Sequence, residues 1–387
     1  MVNAMSRPAT GGPLRSSILV LVLITLLFTA AALTAFVEKA GNDLMVEVHQ
    51  SDARRLRQEA FSAIEVTLAV LEDFREADNG LHSTAEGWGD PLAWAEWTPS
   101  EGRTVEVSFQ DESGKIPLAH ADMTTLTNMF EAWQVAPADA EKLADAIEGW
   151  MVKGYSYTTT LTPDYPEASV PYAEPQRPMR AFTELAAIDD AREFFFDENG
   201  LPNGNYWRFV DDFSLFNYPQ PNANGANADV MAALGQYTDI QRQHINDFLN
   251  GTGQYATDGA QWLQNAAQLS AVAGLGGSAG TFGTTIAALR INVTVHDGRS
   301  QYRVSVVVAP QGGATTNQTL ATNATAAAAT ASPSTATSIT NTAQPSSTAN
   351  SATAAAAASQ SINYPFTLLE ILEDDEIPQP PPAPTQT

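Results

Sequence analysis

The residues best suited to chemistry begin with an acidic turn, Asp197-Glu198-Asn199-Gly200, followed by Asp211 and Asp212. Hard divalent cations take several oxygen ligands, so Asp197, Asn199, Asp211 and Asp212 form a candidate calcium site, and calcium is the one cofactor considered. The spacing is not that of an EF-hand loop, because Leu201 stands where the third ligand is expected. The plain alternative is a solvated acidic turn. Gly276-Gly277-Ser278-Ala279-Gly280 matches the nucleophile-elbow pattern in letters, but an elbow needs a strand before it and a helix after it. Here the Gly-rich run from Gly274 to Gly283 reads as a connector. His49, His82, His120, His244 and His296 are scattered without an i,i+4 pair. Gly114-Lys115 lacks both the upstream Gly and the following Ser or Thr of a phosphate loop. The absence of Cys removes disulfides, thiolate metal sites and thiol nucleophiles. The expectation from these residues is a protein that is not an enzyme.

The elements around them explain more. The chain has 387 residues, with 19 Lys and Arg against 44 Asp and Glu, a net charge of −25. Phosphate repels such a chain unless it carries a concentrated basic patch, and none is visible, so nucleic acid is not an expected partner. Ile18 to Val37 holds no charge, Pro or Gly, and as a helix it reaches about 30 Å, one hydrocarbon core. It is read as a single-pass membrane helix. Arg7 and Arg15 precede it and acidic sequence follows, so the N-terminus is expected in the cytoplasm and the bulk across the membrane. The competing reading is a cleaved secretory signal, for which Ala31 to Ala35 imitates a cleavage site. Gln311 to Ser361, built almost wholly from Ala, Thr, Ser, Asn and Gln, cannot bury enough apolar surface to offset chain entropy and is expected to be a disordered insertion.

Asp52 to Asp78 has the period of an amphipathic helix, with Leu56, Ala60, Ile64, Leu68, Leu71 and Phe74 on one face. A small antiparallel sheet would supply a partner for that stripe. Val105 to Phe109 reads as a strand. Leu289 to His296 and Tyr302 to Val308 read as a hairpin around Asp297-Gly298-Arg299-Ser300, and Tyr364 to Leu372 as a last strand. The expectation is a three-stranded meander whose second turn holds the low-complexity insertion. Between first strand and hairpin lie helical patterns at Met123 to Trp133, Ala138 to Val152, Phe182 to Ile188, Asn227 to Leu234 and Thr238 to Leu249. Without alternating βα units the class is α+β.

The residues also carry a resemblance. Arg15-Ser16-Ser17-Ile18-Leu19-Val20-Leu21, Asp111-Glu112-Ser113-Gly114-Lys115-Ile116, Ala144 to Trp150, Phe182-Thr183-Glu184-Leu185 and Asn222-Ala223-Asn224-Gly225-Ala226 stand in the order seen in general secretion pathway protein K, the minor pseudopilin of type II secretion. The chain resembles that family over most of its length outside the low-complexity tract. The resemblance implies a pilin-like long N-terminal helix packed on a small antiparallel sheet, with a large inserted helical domain. It divides the chain into a leader (1–16), a transmembrane helix (17–37), a helix and first strand (38–118) and a helical insert with a helix-hairpin-helix-like unit (119–285). A hairpin (286–310), the low-complexity insertion (311–361), a last strand (362–373) and an acidic, Pro-rich tail (374–387) complete it. Prepilin processing would fall between Ser16 and Ser17, which makes the neutral Leu21 the fifth mature residue. Ser16 departs from the Gly that the peptidase expects. Gly149, Val152 and Gly154 stand where the family's acidic residues surround its Trp, which puts that calcium route in doubt.

The implied function is a non-enzymatic part at the tip of the secretion pseudopilus, supporting export across the outer membrane. Its implied partners are the other minor pseudopilins, met through the membrane helix and the stripe of Leu56, Ile64, Leu68, Leu71 and Phe74, together with the inner-membrane secretion platform and the prepilin peptidase. The alternative is a membrane-anchored periplasmic binding protein or adhesin whose helical insert recognises a ligand. A helix-hairpin-helix gripping DNA is disfavoured, because Arg242 and His244 stand against Asp229, Asp239 and Asp247, and the Asn residues of the Asn222 string are expected to pack instead, capping helix starts.

Overall fold

The computed structural model describes residues 14–100, 102–160, 163, 165, 171–274, 276–317 and 365–378. The leader before Leu14 and most of the low-complexity tract lie outside the described residues. The described part is α+β, and the chain divides into two compact units, Met1–Gln58 and Glu59–Thr387.

One helix, α1 (Leu14–Asp78), runs from the apolar stretch through the amphipathic one. The sequence allowed a break near Gly41-Asn42; helical backbone continues there. In the first unit, Val20 to Val37 is exposed throughout, a helix long and apolar enough to cross a membrane. The hydroxyls of Thr25, Thr29 and Thr34 donate to backbone carbonyls three or four residues back, so these polar groups need no outside partner.

In the second unit, strands β1 (Arg103–Asp111), β2 (Leu289–Asp297), β3 (Ser300–Pro310) and β4 (Phe366–Glu373) form one antiparallel sheet in the order of the chain. This corrects the three-stranded expectation: β1 joins as an edge, pairing with β2 from Arg103↔Asp297 to Asp111↔Leu289. That pairing bridges residues far apart in sequence, so no local pattern announces it. The β2–β3 turn is tight, with Gly298 at φ +60°, a conformation L side chains resist. Alternation gives the sheet an apolar face through Leu289, Ile291, Val293 and Val295 and their partners Tyr302, Val304, Val306 and Val308, all buried. On the opposite face of β1, Thr104, Glu106, Ser108 and Gln110 are exposed.

The lower half of α1 lies over the apolar face. Ala60, Ala63, Ile64, Thr67, Val70 and Leu71 are buried, and the small Ala60 and Ala63 let the helix come close. Its ends are tied: Glu59 accepts from Ser100 N and Oγ, each at 2.7 Å, and from Arg103, while Ile286 N donates to Leu81 O at 2.6 Å. Trp88 meets Phe109 edge-on at 5.0 Å between centroids. Leu56, Ile64 and Leu71 are buried and Leu68 and Phe74 half-buried. The stripe expected to meet other subunits is therefore spent inside the chain.

Between β1 and β2 sits the helical insert. It comprises α2 (Met123–Ala132), α3 (Pro137–Met151), α4 (Ala191–Phe195), α5 (Gly204–Asp212), α6 (Ala228–Gly235), α7 (Asp239–Asn250) and α8 (Ala266–Ala273). Side-chain caps start most of them: Asp122 for α2, Asn203 for α5, Asn227 for α6, the Thr238/Gln241 capping box for α7 and Asn265 for α8. Phe130, Trp133, Phe195, Phe209 and Phe213 stack at its centre. The sequence did not mark α4, α5 and α8, and Phe182–Ala187 forms a 3-10 turn instead of a helix. The start of the Ala/Thr tract is also ordered: Thr315–Thr316 pairs with Phe216–Asn217.

Candidate functional site

Two of the strings that carried the resemblance meet where the insert joins the sheet. Backbone first: Ser113 N donates to Ala288 O at 3.1 Å, Asn222 N to Ser113 O at 2.7 Å, and Ala223 N to Gly283 O at 2.9 Å. Asn222 Nδ2 donates to Asp111 Oδ2 at 2.6 Å and to His82 O at 3.1 Å, so one side chain links β1, the segment after α1 and the insert. Asn224 does likewise farther in, donating to Leu263 O and Thr284 O and accepting from Leu263 N. The Asn residues were expected to cap helix starts. Asn227 does so, accepting from Val230 N at 2.9 Å, but Asn222 and Asn224 stitch segments together.

Beside this lies a buried ion cluster. Glu112 sits 3.1 Å from Lys115 Nζ and 3.3 Å from Arg290 Nε, and accepts from Ser214 Oγ. Arg290 continues to Glu370 at 3.0 Å, which ties β2 to β4 across β3. Burial opposes ionisation of Glu112, but Lys115 and Arg290 hold its carboxyl below the usual range. Tyr218 OH donates to the carbonyls of Glu112 and Lys115. Gly114 and Gly225 permit the closeness. A Cβ on Gly114 would overlap the Gly225 carbonyl and lie 2.9 Å from Ala226 N; one on Gly225 would lie 2.6 Å from Asp111 Cγ.

A second pairing joins the Trp150 and Glu184 strings: Trp150 Nε1 donates to Glu184 Oε2 at 3.1 Å, and Arg177 adds an ion pair at 3.2 Å. One turn earlier on α3, buried Asp145 accepts from Thr158 N and Thr159 N at 3.0 and 2.8 Å, from both Thr hydroxyls, and from Tyr155 OH. Burial alone would raise its pKa, but these donors bring it down to about 2. Protein donors surround the carboxylate, which thereby fastens the 155–159 loop. Asp145→Ala is expected to cost about 2 kcal/mol at pH 7 and to open the loop to protease. A depressed pKa adds stability above the unfolded value of 3.8, lost as pH falls through about 2. Thermal unfolding should therefore show the gap to wild type closing in strong acid.

The four candidate calcium residues do not come together. Asp197 Oδ1 accepts from Asn199 N and Leu201 N, closing an exposed turn. Asp212 is buried, with one oxygen on Trp133 Nε1 at 2.8 Å and the other on Asn227 Nδ2 at 2.5 Å. Burial raises its pKa to about 6, and Asp229 nearby adds to the rise. Among the described residues no group of three or more His, Asp or Glu could hold a metal ion. Asp212 turns its two oxygens to the insert's own amide and indole.

Ser278 follows Gly276 and Gly277 at φ +102° and +82° and precedes a 3-10 turn, so the nucleophile-elbow geometry is absent there. Ser16 and Ser17 lie in helical backbone, and Leu21 is exposed on α1. Neither Arg290 nor Tyr218 was singled out in the sequence. The one available signal was a charged Arg at the polar positions of β2, in line with the neutral Asn292 and Thr294.

No protein-family profile and no curated protein matches the chain. Among solved structures, a chain of the GspK-GspI-GspJ complex from the type 2 secretion system of enterotoxigenic Escherichia coli is similar over 68% of this chain and 94% of that one. Sequence identity is 15% and the TM-score 0.47.

Proposed function

We propose that the chain is a non-enzymatic minor pseudopilin of a type II secretion system, held in the inner membrane with its body in the periplasm. The observation that carries this reading is α1. Its first part is exposed and apolar over a membrane's thickness, and its later part supplies the buried stripe of a four-stranded antiparallel sheet. The five strings of the resemblance support it, because four of them meet in pairs: Asp111–Ile116 with Asn222–Ala226, and the Trp150 helix with Glu184.

A place at the filament tip follows from two features. The neutral Leu21 cannot neutralise a neighbour's N-terminal amine, and an insert as large as residues 112–288 would collide with itself if repeated along a tight helical stack. Its partners would be the other minor pseudopilins, the secretion platform and the prepilin peptidase. Since Ile64 and Leu71 are buried in the chain's own core, contact would run through the membrane part of α1 and the exposed surfaces.

The test is co-isolation. Tagged full-length chain, extracted from membranes in mild detergent, is expected to bring down the pseudopilins encoded in the same cell, and its deletion to abolish export of the secreted proteins. Isolation free of pseudopilins, with normal export in the deletion strain, would sink the proposal.

A further inference from the structure

Among the described residues of the second unit, Trp94 is the one aromatic side chain that stands mostly in solvent, 60% exposed. Its own segment does not need it there, because buried Pro91 and Leu92 already seat the short helical turn Pro91–Trp94. Phe74 of α1 lies against one side of the ring, with 5.0 Å between centroids and 58° between planes, and the rest of the indole is open. The segment that carries the ring is fixed at several points. Trp88 Nε1 donates to Glu86 at 2.7 Å, Asp90 Oδ1 accepts from Ala93 N at 3.2 Å, Trp97 N donates to Leu92 O at 2.9 Å, and Ser100 is bound to Glu59. Just past the ring, Glu96 takes φ +51°, a conformation that costs an L side chain energy. A ring held in place loses little freedom when a partner covers it, and Trp is among the residue types that most often carry binding energy at protein interfaces.

The charges around the ring decide what covers it. From Glu72 to Ser100 the chain has seven acidic residues against one Arg. Arg75 is held by Glu72 at 2.6 Å, and Glu86 is taken by His82 and Trp88. That leaves Asp78, one helical turn beyond Phe74 on α1, Asp90 at the start of the ring's own turn, and Glu96 just after it. All three are exposed, and among the described residues none has an ion pair. Such a rim repels an anionic lipid surface and draws in a cation. The face of an indole is the best aromatic seat for an ammonium or guanidinium group.

We propose that Trp94, backed by Phe74 and rimmed by Asp78, Asp90 and Glu96, is a docking surface for a basic segment of a protein partner, with an Arg or Lys side chain laid on the indole face. The acids bring the segment in, and the ring fixes where its cation comes to rest. The surface does not depend on which assembly the chain joins. Trp94 is exposed and stands outside the buried face of the sheet, so replacing it leaves the fold intact.

The probe is a fluorescein-labelled peptide, Ala-Arg-Leu-Arg-Ala with blocked ends, titrated with the full chain in detergent and followed by anisotropy. Its twin carries citrulline, the uncharged isostere, in place of each Arg. The Arg peptide is expected to bind saturably and about tenfold more tightly than the twin, and Trp94→Ala and Trp94→Leu each to weaken it about fivefold. Leu keeps apolar cover but has no π face, which separates a cation seat from a greasy patch. Glu96→Gln should weaken binding about twofold and flatten its dependence on salt. Wild-type affinity in Trp94→Leu, equal affinity for the citrulline twin, or no saturation up to about 1 mM overturns the proposal. Nanodiscs of lipid brominated below the headgroup test the membrane as the occupant instead. The quenched fraction of Trp fluorescence should not drop in Trp94→Phe; a drop would put the ring in the lipid interface and overturn the protein surface.

Discussion

Gly114→Ala should detach the insert from the sheet, lowering stability by about 3 kcal/mol or more. The added methyl meets the Gly225 carbonyl and Ala226 N, which are backbone atoms. No side chain there can swing aside, so one of the two chains must move. Overpacking a tight core commonly costs about 1–3 kcal/mol, and a backbone-on-backbone overlap belongs at the upper end or beyond. The displacement would also break the bond from Asn222 N to Ser113 O and pull Asn222 from Asp111. Thermal unfolding should show the loss, and limited proteolysis should show new cleavage within 213–226 while β2 and β3 stay resistant. Gly225→Ala should resemble it, because its methyl would lie 2.6 Å from Asp111 Cβ, an atom fixed to the β1 backbone, as well as against the carboxylate. Wild-type stability in Gly114→Ala would mean that the two turns do not touch as described.

Glu112→Ala is expected to cost about 3–5 kcal/mol, because it leaves Lys115 buried without its carboxylate. Val210 O remains within 3.1 Å of Lys115 Nζ, and Arg290 keeps Glu370, so the loss falls mainly on the lysine. Burying two charges is itself expensive, and removing both can be nearly neutral. The double variant Glu112→Leu with Lys115→Met should therefore regain most of what Glu112→Ala loses. Equilibrium unfolding of Glu112→Leu, of Lys115→Met and of the double variant measures the coupling. A double variant as unstable as the sum of its parts would show that the cluster is held by something other than the pair.

Which parts of this could be read from residues alone follows from the range of the forces involved. The long apolar helix, the amphipathic half of α1 and the β2–β3 hairpin rest on composition, periodicity and turn chemistry within a short window, and the structure shows each of these elements. Of the short helices that the sequence reading passed over, α4 has five residues, too few for a period to show, whereas α5 did carry one, with Asn203 as its cap and Tyr206 and Phe209 three apart on its buried face.

Asp212 misled for a different reason. As a letter it is an oxygen donor to a cation, and only the fold shows Trp133 and Asn227 taking its oxygens. The junction was half visible. Glu112 and Lys115 are spaced to pair locally, but Arg290, the residue that makes them a cluster, lies on the far side of the insert. Asn222 looked like a cap because local chemistry offers Asn that role first; its bonds to Asp111 and His82 need three distant segments at once.

The insert leaves the sheet after Asp111 and returns at Leu289, and those two residues are partners in the β1–β2 ladder. Tension applied along the frame, from α1 into the sheet, therefore has a path that bypasses the insert. Pulling force would reach the insert only after the ladder from Arg103 to Asp111 had sheared, with its nine paired positions loaded together. Under such a load the frame bears the tension and the insert hangs beside it unstressed.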